Sequence, residues 1–80
     1  MHELKKATYI EEYKILVEFD DSKSKVIDFK QALRDFKGEI FQPLRNIDYF
    51  KTFKISEGIA TLAWDNGADI SPEFLYHYEL

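Results

Sequence analysis

The chain has 80 residues, 45% of them hydrophobic and 16% aromatic, with 15 acidic against 11 basic side chains and no cysteine. Such a length makes one domain, 1–80, near the lower limit for a single hydrophobic core. The missing cysteine excludes disulfide staples and thiolate zinc sites. Seven Phe, five Tyr and one Trp must therefore supply the buried volume, because aromatic rings remove large areas from water. No apolar run reaches the length of a secretory h-region or a spanning helix. The expectation is a cytoplasmic protein with no membrane association.

The net charge of −4 is unevenly spread. Residues 1–37 carry eight basic and eight acidic side chains. Beyond them, Arg45, Lys51 and Lys54 stand against Glu39, Asp48, Glu57, Asp65, Asp69, Glu73 and Glu79. No Lys or Arg follows Lys54. An acidic C-terminal third repels phosphate backbones and attracts basic protein surfaces, and it also serves simply as a solvated face.

In chain order, KKATYI (5–10) is a plausible first strand, turned at Glu11-Glu12. In YKILVEF (13–19), Tyr13, Ile15, Val17 and Phe19 alternate with Lys14 and Glu18, as a half-buried strand requires. DDSKS is turn chemistry, and KVIDF (25–29) is the third strand. Three strands at hairpin spacing predict an antiparallel meander. Phe29, Leu33 and Phe36 are spaced for a short middle helix ending near Lys37-Gly38. Ile40, Phe41 and Leu44 follow as anchors, with Pro43 interrupting any regular ladder. NIDYF is a single helical turn capped by Asn46 or Asp48.

A second β-hairpin is expected from TFKIS and IATLAW, with Ala60, Leu62 and Trp64 alternating against Ile59, Thr61 and Ala63. Asn66-Gly67 is a turn signal, because both residues tolerate positive φ. Ser71 then reads as N-cap and Pro72 as first helical position, opening a short C-terminal helix in which Glu73 complements the dipole. The fold class is α+β: five strands in two antiparallel groups, with short helices. The expected core comprises Tyr13 or Ile15, with Val17, Phe19, Phe29, Leu33, Phe41, Leu44, Phe50, Phe53, Leu62 and Leu75.

Chemistry is harder to find. Asp65, Asn66 and Asp69 offer oxygens but lack the spacing of a calcium loop. Glu73 and His77 form an i,i+4 pair, while His2 sits in a terminus expected to fray. One histidine with scattered carboxylates is too few for a zinc site, so no metal and no cofactor is expected. A nucleophile needs a base within reach and a group to orient it, and neither histidine has such company. No catalytic residue is expected, and the protein is read as a non-enzyme. Lysines scattered over an acidic chain argue against direct nucleic-acid binding.

Three stretches, YKILVEFDDSKSKVIDF, IFQPLRNIDYF and IATLAWDNGADISPEFLY, resemble the bacterial domain-of-unknown-function family numbered 2442. The resemblance covers about residues 5–78, and its closing segment is the most specific part. Lys23 departs from it in the second turn, where Gly or Asn is common, and Asp65 stands where Pro is frequent. The resemblance implies a compact α+β domain whose gene neighbours another short domain, the pair resembling a toxin–antitoxin module. Other members carry an added helix-turn-helix domain, which these residues do not include. The implied role is a protein–protein interaction domain, antitoxin-like toward a small basic partner, with homo-oligomers also open. The alternative is a regulatory module that binds a small ligand or acts with a DNA-binding domain on another chain. The residues expected to bind a partner are Trp64, Asp65, Asn66, Asp69, Glu73 and Tyr76. Trp64 or Tyr76 would be the desolvated anchor.

Overall fold

The computed structural model describes residues 2–78. Strands β1 (Leu4–Glu11), β2 (Lys14–Phe19) and β3 (Ser24–Asp28) form an antiparallel sheet in the order β1-β2-β3. Its two reversals place Glu12 at φ 47° and Ser22 at φ 71°. The left-handed residue of the second turn is thus Ser22, next to the unusual Lys23. Ile15, Val17, Phe19 and Ile27 line the buried face, as the two-residue period demands. On the opposite face Val26 is exposed and Leu16 half-buried.

The middle of the chain is more helical than the sequence suggests. Helix α1 (Lys30–Asp35) starts where Asp28 Oδ1 accepts the Lys30 N–H at 3.0 Å, and it stops at the extended Phe36. Glu39–Arg45 forms a 3-10 helix that runs through Pro43. Proline at this place ends no ladder, because a tight helix of one or two turns leaves several N–H groups unpaired anyway. Helix α2 (Ile47–Phe50) is capped by Asn46, whose Oδ1 accepts the Asp48 N–H at 2.9 Å.

The second sheet pairs β4 (Lys54–Ile55), β5 (Leu62–Ala63) and β6 (Asp69–Ile70) in that order, all antiparallel. The expected hairpin is therefore a three-stranded sheet, and the strands number six among the described residues. The sixth lies in a stretch that reads as turn and helix cap alone. The returning strand is also shorter than IATLAW. Ala60 has φ 51° and Ile59 is exposed, while Thr61, Leu62, Ala63 and Trp64 are all buried. Alternation fails there because both faces of the segment are covered. The Thr61 hydroxyl donates to the Ile70 carbonyl, so its buried oxygen is satisfied.

The β5–β6 reversal answers to Asn66-Gly67. Gly67 has φ 94°, its N–H donates to the Trp64 carbonyl at 3.0 Å, and the Trp64 N–H donates to Ala68 O at 2.9 Å. Asn66 Oδ1 accepts the Ala68 N–H, and its amide donates to Ile40 O at 2.9 Å. A Cβ on Gly67 would meet only Ile40 Cδ1, at an ordinary 3.5 Å. The cost of a side chain is thus backbone strain. Gly67→Val is expected to destabilise the domain by about 1–3 kcal/mol, read as a lower melting temperature. An unchanged one would mean that the left-handed turn tolerates a branched residue.

Helix α3 (Pro72–His77) closes the fold, and Ser71 Oγ accepts the N–H groups of Glu73 and Phe74 at 3.2 and 3.3 Å. Lys25 Nζ donates to the carbonyls of Tyr76 and Tyr78, each at 2.7 Å, and so satisfies its C-terminal end. One core cluster joins the buried face of the first sheet, Ala32 and Leu33 of α1, Leu44, Phe50, Leu62, Trp64, Ile70 and Leu75. Phe41 and Phe53, expected inside, are only partly buried and pack against its margin. Leu4, Ile27, Ala32, Trp64, Ala68 and Ile70 join it instead.

Candidate functional site

The six residues expected at an interface have different fates. Trp64 is 2% exposed and donates its indole N–H to the Phe50 carbonyl at 3.0 Å. It is a core residue and presents no surface, which corrects its assignment as an anchor. The alternating pattern that put Trp64 on a strand face did not show that both faces are covered. Asn66 is exposed, but its groups are engaged in the turn and with the Tyr49 hydroxyl. Asp65 and Asp69 are exposed on or beside the second sheet, and Asp65 pairs with Lys54 at 2.8 Å. So exposed an ion pair contributes little. Opposing positions in β4, β5 and β6 put Lys54, Ala63 and Asp69 on one sheet face. Glu79 lies outside the described residues.

Tyr76 is half-buried and held from several directions. Its ring stacks on His2 at 3.4 Å between centroids and meets Phe19 edge-on at 5.0 Å. Its hydroxyl donates to Asp21 Oδ2 at 2.7 Å. His2, expected to fray, is therefore packed. Glu73 accepts the His2 backbone N–H at 2.9 Å, and this bond, with the nearby imidazoles, holds its carboxyl below the usual range. The Asp21 carboxyl is also lowered, first by the Tyr76 hydroxyl and then by the Lys23 N–H. Both groups contribute stability that is present above the ordinary carboxylate range. That contribution is lost as pH falls through their lowered folded values. Tyr76→Phe keeps the ring and removes the donor, so the Asp21 midpoint should move up toward the usual aspartate range. Carboxyl carbon NMR across an acid titration reads it, and an unmoved midpoint would assign the shift to the backbone bond alone.

Beside this polar cluster runs an aromatic strip whose members the sequence placed in the core (Phe41), on the middle helix (Phe36) and as cover for the sheet (Phe74 and Tyr78). Phe41 lies 5.1 Å from Phe36, Phe36 lies 5.5 Å from Phe74, and Phe74 lies 5.3 Å from Tyr78. Phe36, Phe41 and Tyr78 are half-buried; Phe74 is 37% exposed. Ile40, 41% exposed, adds an aliphatic side chain next to Phe41 in sequence. Within two positions of these rings in sequence stand the exposed acids Asp35, Glu39 and Glu73 and the exposed bases Arg34 and Lys37. Three chain segments bring these rings together, and only Phe74 on α3 and Tyr78 at its C-cap carry a sequence signal for meeting, their i,i+4 spacing.

A shallow groove of about 370 Å³ lies between Phe19, Lys23, Ser24, Lys25 and Tyr76. Among the described residues, no helix is long and apolar enough to cross a membrane.

The fold and these surfaces define a small α+β domain with a partly exposed aromatic strip flanked by charged residues of both signs. The chain belongs to DUF2442, a family of proteins of unknown function, whose profile matches residues 4–80. No curated protein and no solved structure matches the chain.

Proposed function

We propose that this domain is a protein–protein interaction module that docks a small basic protein on the strip Phe41–Phe36–Phe74–Tyr78. The observation that carries this reading is the exposure of Phe74 in a continuous run of ring contacts. Aromatic faces beside carboxylates suit arginine and lysine, which stack their cationic heads on rings while pairing with acids. The acidic C-terminal third adds long-range attraction. An antitoxin-like role, in which the domain covers the working surface of a basic partner, is the specific form of this proposal. Cytoplasmic location and the absence of enzymatic activity belong to the same reading.

The test is co-expression with the product of the adjacent gene, followed by size-exclusion chromatography at low and high salt. A stable complex that weakens with salt is expected. Failure to form a complex, or one indifferent to salt, would count against a basic partner. A second reading, binding of a small anionic ligand, is favoured by the groove beside Lys23 and Lys25. Lys25, however, is engaged with the carbonyls at the end of α3. Truncating Phe74 distinguishes the two, since Phe74 does not line that groove.

A further inference from the structure

We propose that His2, Glu73 and His77 form a binding site for a divalent transition-metal ion of the zinc type, joining the segment before β1 to α3. One ligand atom from each residue lies within 4.8 Å of the others. Glu73 Oε2 stands 3.5 Å from His77 Nε2 and 3.9 Å from His2 Nε2. Tetrahedral zinc, with bonds of about 2.0–2.1 Å to nitrogen and oxygen, sets its ligand atoms roughly 3.4 Å apart. The two edges through Glu73 are close to that already, and the His2–His77 edge closes by turning the exposed His77 ring.

The other two ligands are oriented from outside the site. The His2 ring lies flat on Tyr76, 4° from parallel. Glu73 Oε1 takes the His2 backbone N–H, which leaves Oε2 facing both imidazoles. Such supporting contacts fix ring and carboxylate orientation at metal sites. Two imidazoles and one carboxylate suit zinc and its first-row neighbours, whereas calcium and magnesium prefer oxygen alone. Three protein ligands leave a fourth position for water or for a donor from another molecule. This inference does not depend on the interaction proposal.

The experiment is isothermal titration of the tag-free, EDTA-treated chain with zinc chloride near neutral pH, with magnesium chloride as control. One zinc per chain with a Kd of about 10 µM or tighter is expected, and no heat from magnesium. His77→Ala and His2→Ala should each weaken zinc binding by about tenfold or more. His77 is exposed, so its variant should keep the wild-type circular dichroism spectrum. No saturable binding below about 1 mM would overturn the site. So would binding that either histidine variant leaves unchanged, or half an equivalent bound, which places the ion between two chains.

Discussion

Trp64→Ala is expected to destabilise the domain by about 3–5 kcal/mol, the cost of removing a large buried aromatic. The ring is almost fully buried and lies 5.9 Å from that of Phe50. Its indole N–H is the hydrogen-bond donor to the Phe50 carbonyl at the end of α2. Truncation therefore opens a cavity and removes that bond together, and the second loss adds to the first. An 80-residue domain has about 4–12 kcal/mol of stability in all, so much of it would go. Urea unfolding followed by circular dichroism measures the loss, since the variant has no tryptophan fluorescence. A midpoint within about 0.5 M of wild type, a change of about 0.5–1.5 kcal/mol at usual slopes, would show that the core does not depend on Trp64.

Phe74→Ala should act in the opposite manner, with folding hardly affected and partner binding weakened by about 2–4 kcal/mol. Phe74 is exposed on α3 and lies outside the core cluster, although it touches Phe36 and Tyr78. Anchoring rings are released slowly, so the loss should appear as faster dissociation. Charge reversal at Asp65, Asp69 and Glu73 should instead slow association and flatten its salt dependence. Binding kinetics at two ionic strengths separate these effects. Equal affinities for wild type and Phe74→Ala would remove the strip from the interface.

The first sheet and α3 were legible in the sequence because local chemistry decides them. The alternation from Tyr13 to Phe19, the Asn66-Gly67 reversal and the Ser71-Pro72 start each need only a few consecutive residues. The second sheet was half legible. Its strands are two residues long, too short for any period, and tertiary cover from both sides erased the alternation around Leu62. The segment Glu39–Arg45 hid its helix behind Pro43.

Surface features were the least legible. Trp64 directly precedes the polar turn Asp65-Asn66-Gly67 and yet is buried. Phe36, Phe41 and Phe74 lie in separate segments, so no linear pattern announces that they meet. His2 reads as a loose end until Tyr76 and Glu73, more than seventy positions away, are seen to hold it.

Docking on the aromatic strip is tested most directly by backbone amide NMR of the domain titrated with the proposed partner, a small basic protein sought among the products of adjacent genes. Shifts and line broadening are expected at Phe36, Ile40, Phe41, Phe74 and Tyr78, with the outer face of the first sheet unmoved. Perturbations concentrated instead at Ile10, Leu16 and Val26 would contradict it, placing the interface on the lysine-bearing N-terminal hairpin.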